Sequence, residues 1–377
     1  MPGRIPSMPP YPDDLSPEAP LVRISLSSLL SKDPSTEAAL FSACQSHGFF
    51  YLDLTTDPVG QTFLENSSQL QSLAHDAFHS IPQETKNSIS FANTRSMFGY
   101  KPPGQVAAAD PHKRKDVGEF LNISKDDIFQ NCGCRNIPYP SLLTSQTPLF
   151  RSFMSTAHSL GLTILTLLAS HLSIPPSALL NKHRINELSG DHVRMTWAPG
   201  SPSSVPITSL SEAELDITTP PHTDFGSVTF LFNWLGGLQI ENAATKEWQW
   251  VRPLPGHAIV NLGDAMVEFS GGKVRSGKHR VVAAPGEQSR AERLSLVYFV
   301  RPEDEVFLED LTAEVEEGQK SGQEEWKQAK TTGVRYAYVG GLQNQKERWK
   351  VKDWILERAR NLGNSFDEKD RQKAAAS

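Results

Sequence analysis

The sequence predicts an α+β protein with a mainly β core and helices on both flanks. Three observations lead there. Apolar residues recur at helical spacing in several stretches before residue 172, and seven short apolar runs broken by Pro and Gly follow from residue 190. Beyond residue 302 the chain turns charged and helical again. Many short strands at such spacing build a sandwich or a barrel.

The elements follow in order. Residues 1–20, MPGRIPSMPPYPDDLSPEAP, are proline-rich without an apolar core and read as a flexible tail, not a signal peptide. LVRISLSSLL (21–30) reads as a short strand and turn. STEAALFSACQSHGFFYLDL gives a helix capped by Ser35 and ended at His47-Gly48, then a strand. A second amphipathic helix covers roughly 60–80 and stops at Pro82. Residues 88–118 carry little regular pattern but hold MFGYKPPG and lead into the strand DVGEFLNIS. Helices dominate from about 147 to 172; their most apolar window, LGLTILTLLASHL (160–172), is too short and too polar to span a bilayer and reads as a buried helix. HVRMTWAP, SVTFLFNWL, GLQIEN, WQWVRPLPG, AIVNLGDAMVEFS, KHRVVAAPG and RLSLVYFVRP then read as strands. The divisions expected are an N-terminal α/β region over 21–185, a β core over 186–302, and a helical segment with a polar tail over 303–377.

Composition narrows the function classes. With 37 Lys plus Arg against 43 Asp plus Glu, the formal charge is −6, and no dense basic block offers a surface for nucleic acid. The 38% hydrophobic and 21% charged residues are those of an ordinary soluble protein with no membrane span. Three cysteines make no disulfide framework; Cys132 and Cys134 in NCGCR lack a second Cys/His pair at zinc-finger spacing and read as loop thiols. Free thiols and the lack of a targeting segment point to the cytosol.

The stretch PPHTDFGSVTFLF (220–232) carries the first chemical signal. On a strand, His222 and Asp224 would face one side, where an imidazole and a carboxylate supply two adjacent positions to one metal. A divalent cation would offset an Asp that is otherwise costly in an apolar interior. The third-ligand candidates downstream are His257, after the turn LPG, and His279, which leads into the apolar run RVVAA. Spacing leaves both open, with His279 favoured. Two His and one carboxylate on one side of a metal leave the other side free, as in non-heme Fe(II) oxygenases. In RLSLVYFV, Arg293 and Ser295 share one face while Leu294, Leu296 and Tyr298 share the other. The guanidinium fork suits a carboxylate, from a ligand or from the protein itself.

HTD, GLQI, PLPGHAIVNLGDAMVEFSGGKVRSGKHRV and RLS, in that order, closely resemble the Fe(II)/2-oxoglutarate-dependent dioxygenases of the isopenicillin N synthase-like family. VRISLSSL, CQSHGFFYL, FHSIPQETK, GYKPPG, DVGEFLNIS and, near the end, VKDWILERARNL resemble that family's other segments, so the likeness spans roughly residues 20–362. The resemblance implies a double-stranded β-helix (jelly roll) as catalytic core. It implies Fe(II) on His222, Asp224 and His279, and 2-oxoglutarate with its distal carboxylate on Arg293 and Ser295. It implies O2 as oxidant, with ascorbate as a supporting reductant, release of succinate and CO2, and hydrogen abstraction from a small organic substrate, a specialised metabolite. Phe98, Tyr100 and Phe225 fall in stretches that would line the substrate pocket, with core packing as the alternative for Phe98 and Tyr100. Where plant members carry Asn-x-Tyr, this chain has Thr196-Trp197-Ala198, so Thr196 is left as the one donor to the cosubstrate there. The connection 200–217 is long, and reads as a cover for the pocket mouth or as a solvent loop. Asn261, Gly263 and Asp264 are expected to shape a turn beside the site, and His183 and His192 to be ordinary polar residues. The alternatives are an isopenicillin N synthase-type oxidase without 2-oxoglutarate, a hydrolytic zinc enzyme, and a non-catalytic binding protein on the same fold.

Overall fold

The structure is a computed structural model and describes residues 8–106, 110, 112–200, 210–313 and 349–361. Its strands are β1 (Arg23–Ser25), β2 (Phe49–Asp53), β3 (Gly99–Lys101), β4 (Glu119–Ser124), β5 (His192–Ala198) and β6 (Ile217–His222). They continue with β7 (Val228–Asn233), β8 (Leu238–Glu241), β9 (Trp248–Trp250), β10 (His257–Leu262), β11 (His279–Val282) and β12 (Arg293–Val300). One sheet runs β1-β2-β10-β7-β12-β5-β4-β3 and the other β6-β11-β8-β9. Apart from the parallel pair β1–β2, neighbours are antiparallel. Two facing sheets whose neighbouring strands are distant in sequence, with helices outside, make the jelly roll.

The period-2 pattern of β12 divides the interior. Leu294, Leu296, Tyr298 and Val300 join the largest core, which includes Phe63, Phe153 and Leu165 from the long helices Pro58–Ser80 and Thr147–His171. Each such side chain contributes about 1.5–3 kcal/mol by leaving water, so this outer layer anchors the large sheet. Between the sheets the character is mixed. Phe49, Tyr51, Leu238, Ile240 and Ile259 form an apolar cluster. Along β5 and β12 the same inner face is polar, with Ser295 opposite Thr196, Val297 opposite Arg194 and Phe299 opposite His192.

Several elements differ from the sequence reading. The first long helix is Pro34–Ser46, and its cap is Asp33, not Ser35; Asp33 Oδ2 accepts the Thr36 amide at 2.8 Å. Pro34 fits the first helical position because an amide there has no partner to lose. The run AIVNLGDAMVEFS breaks after Leu262, and Asp264–Phe269 is a helix. Gly263 makes that turn in a space closed to side chains, since a Cβ would lie 2.2 Å from the Gly226 carbonyl oxygen. The apolar window 160–172 belongs to a helix of 25 residues, long and apolar enough to cross a membrane by length and composition. Here its Phe150, Phe153, Met154, Ile164 and Leu168 are buried in the core. Cys132 is exposed and Cys134 half-buried, and neither joins a metal-ligand cluster among the described residues. Of the connection 200–217, residues 201–209 lie outside the described residues; its far end carries Glu212, which pairs with Arg280 on β11.

Candidate metal centre

β6 and β11 bring the first two candidate ligands together, because their register sets His222 opposite His279. The ring centroids are 4.2 Å apart. Asp224 does not share a strand with His222, as the alternation suggested. β6 ends at His222, and Asp224 lies in the turn that leads to β7. The turn bends the carboxylate back: its Oδ1 is 3.7 Å from His222 Nε2 and 3.8 Å from His279 Nε2. One ligand atom from each of the three lies within 4.8 Å of the others. His257 stands elsewhere, at the start of β10, with Nε2 3.9 Å from Asp53 Oδ2.

The protonation of the cluster suits a cation. His222 Nδ1 donates to the Pro220 carbonyl at 2.8 Å and His279 Nδ1 to the Gly277 carbonyl at 3.1 Å. Each backbone bond fixes the tautomer and leaves an Nε2 lone pair aimed at Asp224. Burial, and His279 beside it, hold His222 at about 3, so its imidazole is neutral. Burial raises Asp224, but His279, His222 and hydrogen bonds from Asn261 and Thr229 outweigh it and keep the carboxylate ionised. Two imidazoles anchored through Nδ1 and one buried carboxylate are a donor set that fits Fe(II).

The turn residues read from VNLGD support this cluster directly. Asn261 Nδ2 donates to Asp224 Oδ2 at 2.7 Å, and the Asp264 amide donates to the Asp224 carbonyl at 2.8 Å. The Asp264 carboxylate accepts from Thr223 Oγ1 at 2.8 Å and pairs with Arg358 of the C-terminal helix Val351–Asn361. That helix packs Trp354 and Ile355 into a cluster with Phe98 and Phe225.

Arg293 and Ser295 face the inner side of the large sheet. Arg293 Nε donates to the Gly236 carbonyl at 2.8 Å and Nη1 to Ser295 Oγ at 3.3 Å. Its Nη2 is buried and has no hydrogen-bond partner among the described residues. Burial lowers the guanidinium to about 10, still fully charged at neutral pH. A buried cation with one free N–H edge beside a hydroxyl is built for a carboxylate. Thr196 lies across from Ser295 and is nearly buried.

The aromatic candidates divide. Phe98 and Phe225 share the cluster under the C-terminal helix. Tyr100 belongs to the main core, with its hydroxyl donating to Glu119 at 2.5 Å. His183 and His192, expected as ordinary polar residues, are both buried, His183 between the Leu179 carbonyl and Ser227 Oγ, each at 2.7 Å. Arg194 and Arg301 escaped the sequence reading. Arg194 stands two residues before Thr196 on one strand face, a position the alternation of HVRMTWAP could have revealed.

Comparison with known proteins agrees with this geometry. Residues 204–302 match the 2OG-Fe(II) oxygenase superfamily, and residues 19–138 match the N-terminal region described as non-haem dioxygenase in morphine synthesis. A 2-oxoglutarate-dependent dioxygenase of Aspergillus fumigatus is 30% identical over 301 residues, 75% of each chain. One of Gibberella zeae is 27% identical, covering 78% of this chain and 82% of its own. Among solved structures, a full-length Neurospora crassa protein in complex with alpha-KG and thymine aligns with a TM-score of 0.65 at 20% identity, over 90% of this chain and 96% of its own. A 2OG-Fe(II) oxygenase family protein from Caulobacter crescentus also aligns with a TM-score of 0.65 at 19% identity, over 91% and 99%. Both share the fold. The protein belongs to the 2-oxoglutarate-dependent Fe(II) dioxygenases.

Proposed function

We propose that His222, Asp224 and His279 hold the iron of this dioxygenase, that Arg293 and Ser295 anchor the distal carboxylate of 2-oxoglutarate, and that a small specialised metabolite is oxidised. The observation that carries the assignment is the pair of Nδ1-anchored imidazoles turning both Nε2 atoms to one oxygen of Asp224. When bound, the iron supplies O2 activation coupled to decarboxylation of 2-oxoglutarate to succinate and CO2, and with it C–H oxidation of the substrate by hydroxylation, desaturation or ring formation. The chain's part is positional. Asn261 and Thr229 fix the Asp224 carboxylate, and the Pro220 and Gly277 carbonyls fix the rings. Arg293 neutralises the cosubstrate's far end, with Ser295 and Thr196 beside it. The formal charge of −6 supports a small molecule over a nucleic acid as substrate.

Purified protein with Fe(II), ascorbate and 2-oxoglutarate is expected to form succinate in air. Arg293→Ala removes a charge-assisted contact and is expected to raise the KM for 2-oxoglutarate by about 100-fold, with metal binding retained. His279→Ala is expected to lose stoichiometric metal. Metal binding unchanged in His279→Ala, or substrate turnover that proceeds without 2-oxoglutarate, would overturn these assignments.

A further inference from the structure

Interior cations in this protein generally meet carboxylates. Lys86 pairs with Glu119 at 2.9 Å, Lys101 with Asp116, Lys125 with Asp126 at 3.0 Å, and Arg280 with Glu212. Such pairing is what makes buried charge tolerable. Arg293, Arg194 and Arg301 depart from the pattern: none forms an ion pair among the described residues. The cosubstrate accounts for Arg293. It leaves Arg194 and Arg301 unexplained.

Arg194 lies one step along β5 from Thr196, on the site face, close enough to Asp224 to feel its charge. Its Nε donates to Asn122 Oδ1 at 3.0 Å, and neither Nη has a hydrogen-bond partner among the described residues. The guanidinium carbon sits 4.1 Å from the ring centroid of Phe120 and 5.0 Å from that of Phe299. Arg301 stacks on the same Phe299 ring at 5.0 Å and lies 6.0 Å from Phe225. Its Nη1 reaches only Met97 Sδ at 3.1 Å, and its buried Nε has no partner among the described residues. Asp191 accepts the backbone amide of Arg301 at 2.7 Å, not its guanidinium. Burial, then repulsion from Arg301, lowers Arg194 to about 9, and burial lowers Arg301 to about 10. Both remain charged at neutral pH.

The charges of the site then leave a remainder. A divalent cation and dianionic 2-oxoglutarate are balanced by Asp224 and Arg293 together; Asp191 and Asp304 oppose the charge of Arg301, and no carboxylate pairs with the guanidinium of Arg194 among the described residues. His192 contributes no charge, being buried and depressed by burial and by both arginines. Aromatic rings cover the guanidinium faces and leave the in-plane N–H edges for a ligand, the geometry that suits a carboxylate. We propose that Arg194, backed by Arg301, binds an anionic group of the primary substrate, and that this substrate is a small carboxylic acid whose apolar body lies against Phe120 and Phe225. The proposal rests on the reading of this pocket as the oxygenase site.

The test is a binding experiment without turnover. Protein loaded with Mn(II) and saturated with N-oxalylglycine, a non-reactive 2-oxoglutarate analogue, is titrated calorimetrically with naphthalene-2-carboxylate, 3-phenylpropanoate and decanoate, each beside its primary amide. At least one acid is expected to bind about tenfold more tightly than its amide. Arg194→Gln is expected to bring that ratio to about one while N-oxalylglycine affinity stays within about twofold. Arg194→Lys, which keeps the charge and loses the fork, should retain part of the preference, and Arg301→Gln gives a second reading should Arg194→Gln not fold. Equal affinity for acids and amides in all three pairs would overturn the proposal, as would a preference that survives in both Gln variants. Loss of N-oxalylglycine binding in Arg194→Gln would also overturn it by assigning the arginine to the cosubstrate. If N-oxalylglycine fails to bind the unaltered protein, the oxygenase reading of the pocket falls with it; normal N-oxalylglycine binding without acid preference removes only the anion site.

Discussion

Asn261 shows how much of the proposed metal centre is decided by one donor. Its Nδ2 holds Oδ2 of Asp224 at 2.7 Å, which presents the other oxygen, Oδ1, to His222 and His279. Supporting hydrogen bonds of this kind typically govern metal affinity by about 10–100-fold. Asn261→Ala is therefore expected to weaken Mn(II) binding by about that factor, measured by anaerobic competition titration, with little change in secondary structure. Unchanged affinity would mean that Thr229 and the backbone suffice to hold Asp224. The clustering of the candidate ligands was legible because imidazole and carboxylate next to apolar runs are chemically conspicuous. Asn261 was legible only as a turn residue, since sequence shows that an amide is present and not which oxygen it reaches. Arg194 was hidden for a different reason. Its significance is that no carboxylate pairs with its guanidinium among the described residues, a property of the whole interior and not of the segment HVRMTWAP.

Among the elements, the turn between β6 and β7 and the helix Val351–Asn361 depend on each other. The sequence reading took PPHTDFGSVTFLF as one strand. The chain instead bends over residues 225–227, where the Asp264 and Ala265 amides cap the Asp224 and Phe225 carbonyls at 2.8 and 3.3 Å. Period-2 spacing was satisfied by His222 and Asp224, yet the strand had already ended; alternation alone does not reveal a turn stabilised from a distant helix. The sheet strands after residue 190 were readable because each is a short apolar run between Pro or Gly. The helix Asp264–Phe269 was not, because its six residues are too few to display a 3.6 period. From the C-terminal helix, Arg358 reaches into this turn, pairing with Asp264 and donating to Thr223 Oγ1 at 3.1 Å. Arg358→Ala leaves the Asp264 carboxylate without that cation, an arrangement that costs about 3–5 kcal/mol when fully buried and less here, where the pair is partly exposed. The expected result is a lower midpoint in urea and faster hydrogen exchange in the 351–361 helix, partly restored by adding Asp264→Asn. If the double variant is no more stable than the single one, the pair is not what docks the helix.

Across the whole molecule, acid should loosen the junction between the helical layer and the site. His183 is buried there, donating from Nδ1 to the Leu179 carbonyl and accepting at Nε2 from Ser227, three residues beyond Asp224. Burial lowers its pKa to about 4, against the opposing pull of the Leu179 carbonyl and Asp191. An unfolded chain takes up the proton at the ordinary value of about 6.5. Between those two values the unfolded state binds more protons than the folded one, so stability rises with pH in that interval. The contribution is fully present above pH 6.5 and is lost as pH falls from about 6.5 to about 4, a change on the order of 3 kcal/mol. His192, depressed by burial and by Arg301 and Arg194, acts in the same direction. Urea denaturation at pH 7.5, 5.5 and 4.5 should therefore show steadily falling stability in the unaltered protein. His183→Gln should be less stable at pH 7.5, because a hydrogen bond is lost, but should fall less between pH 7.5 and 4.5. If both proteins lose the same free energy over that interval, the imidazole of His183 is not the group that acid strikes, and the remaining dependence belongs to His192 and His222.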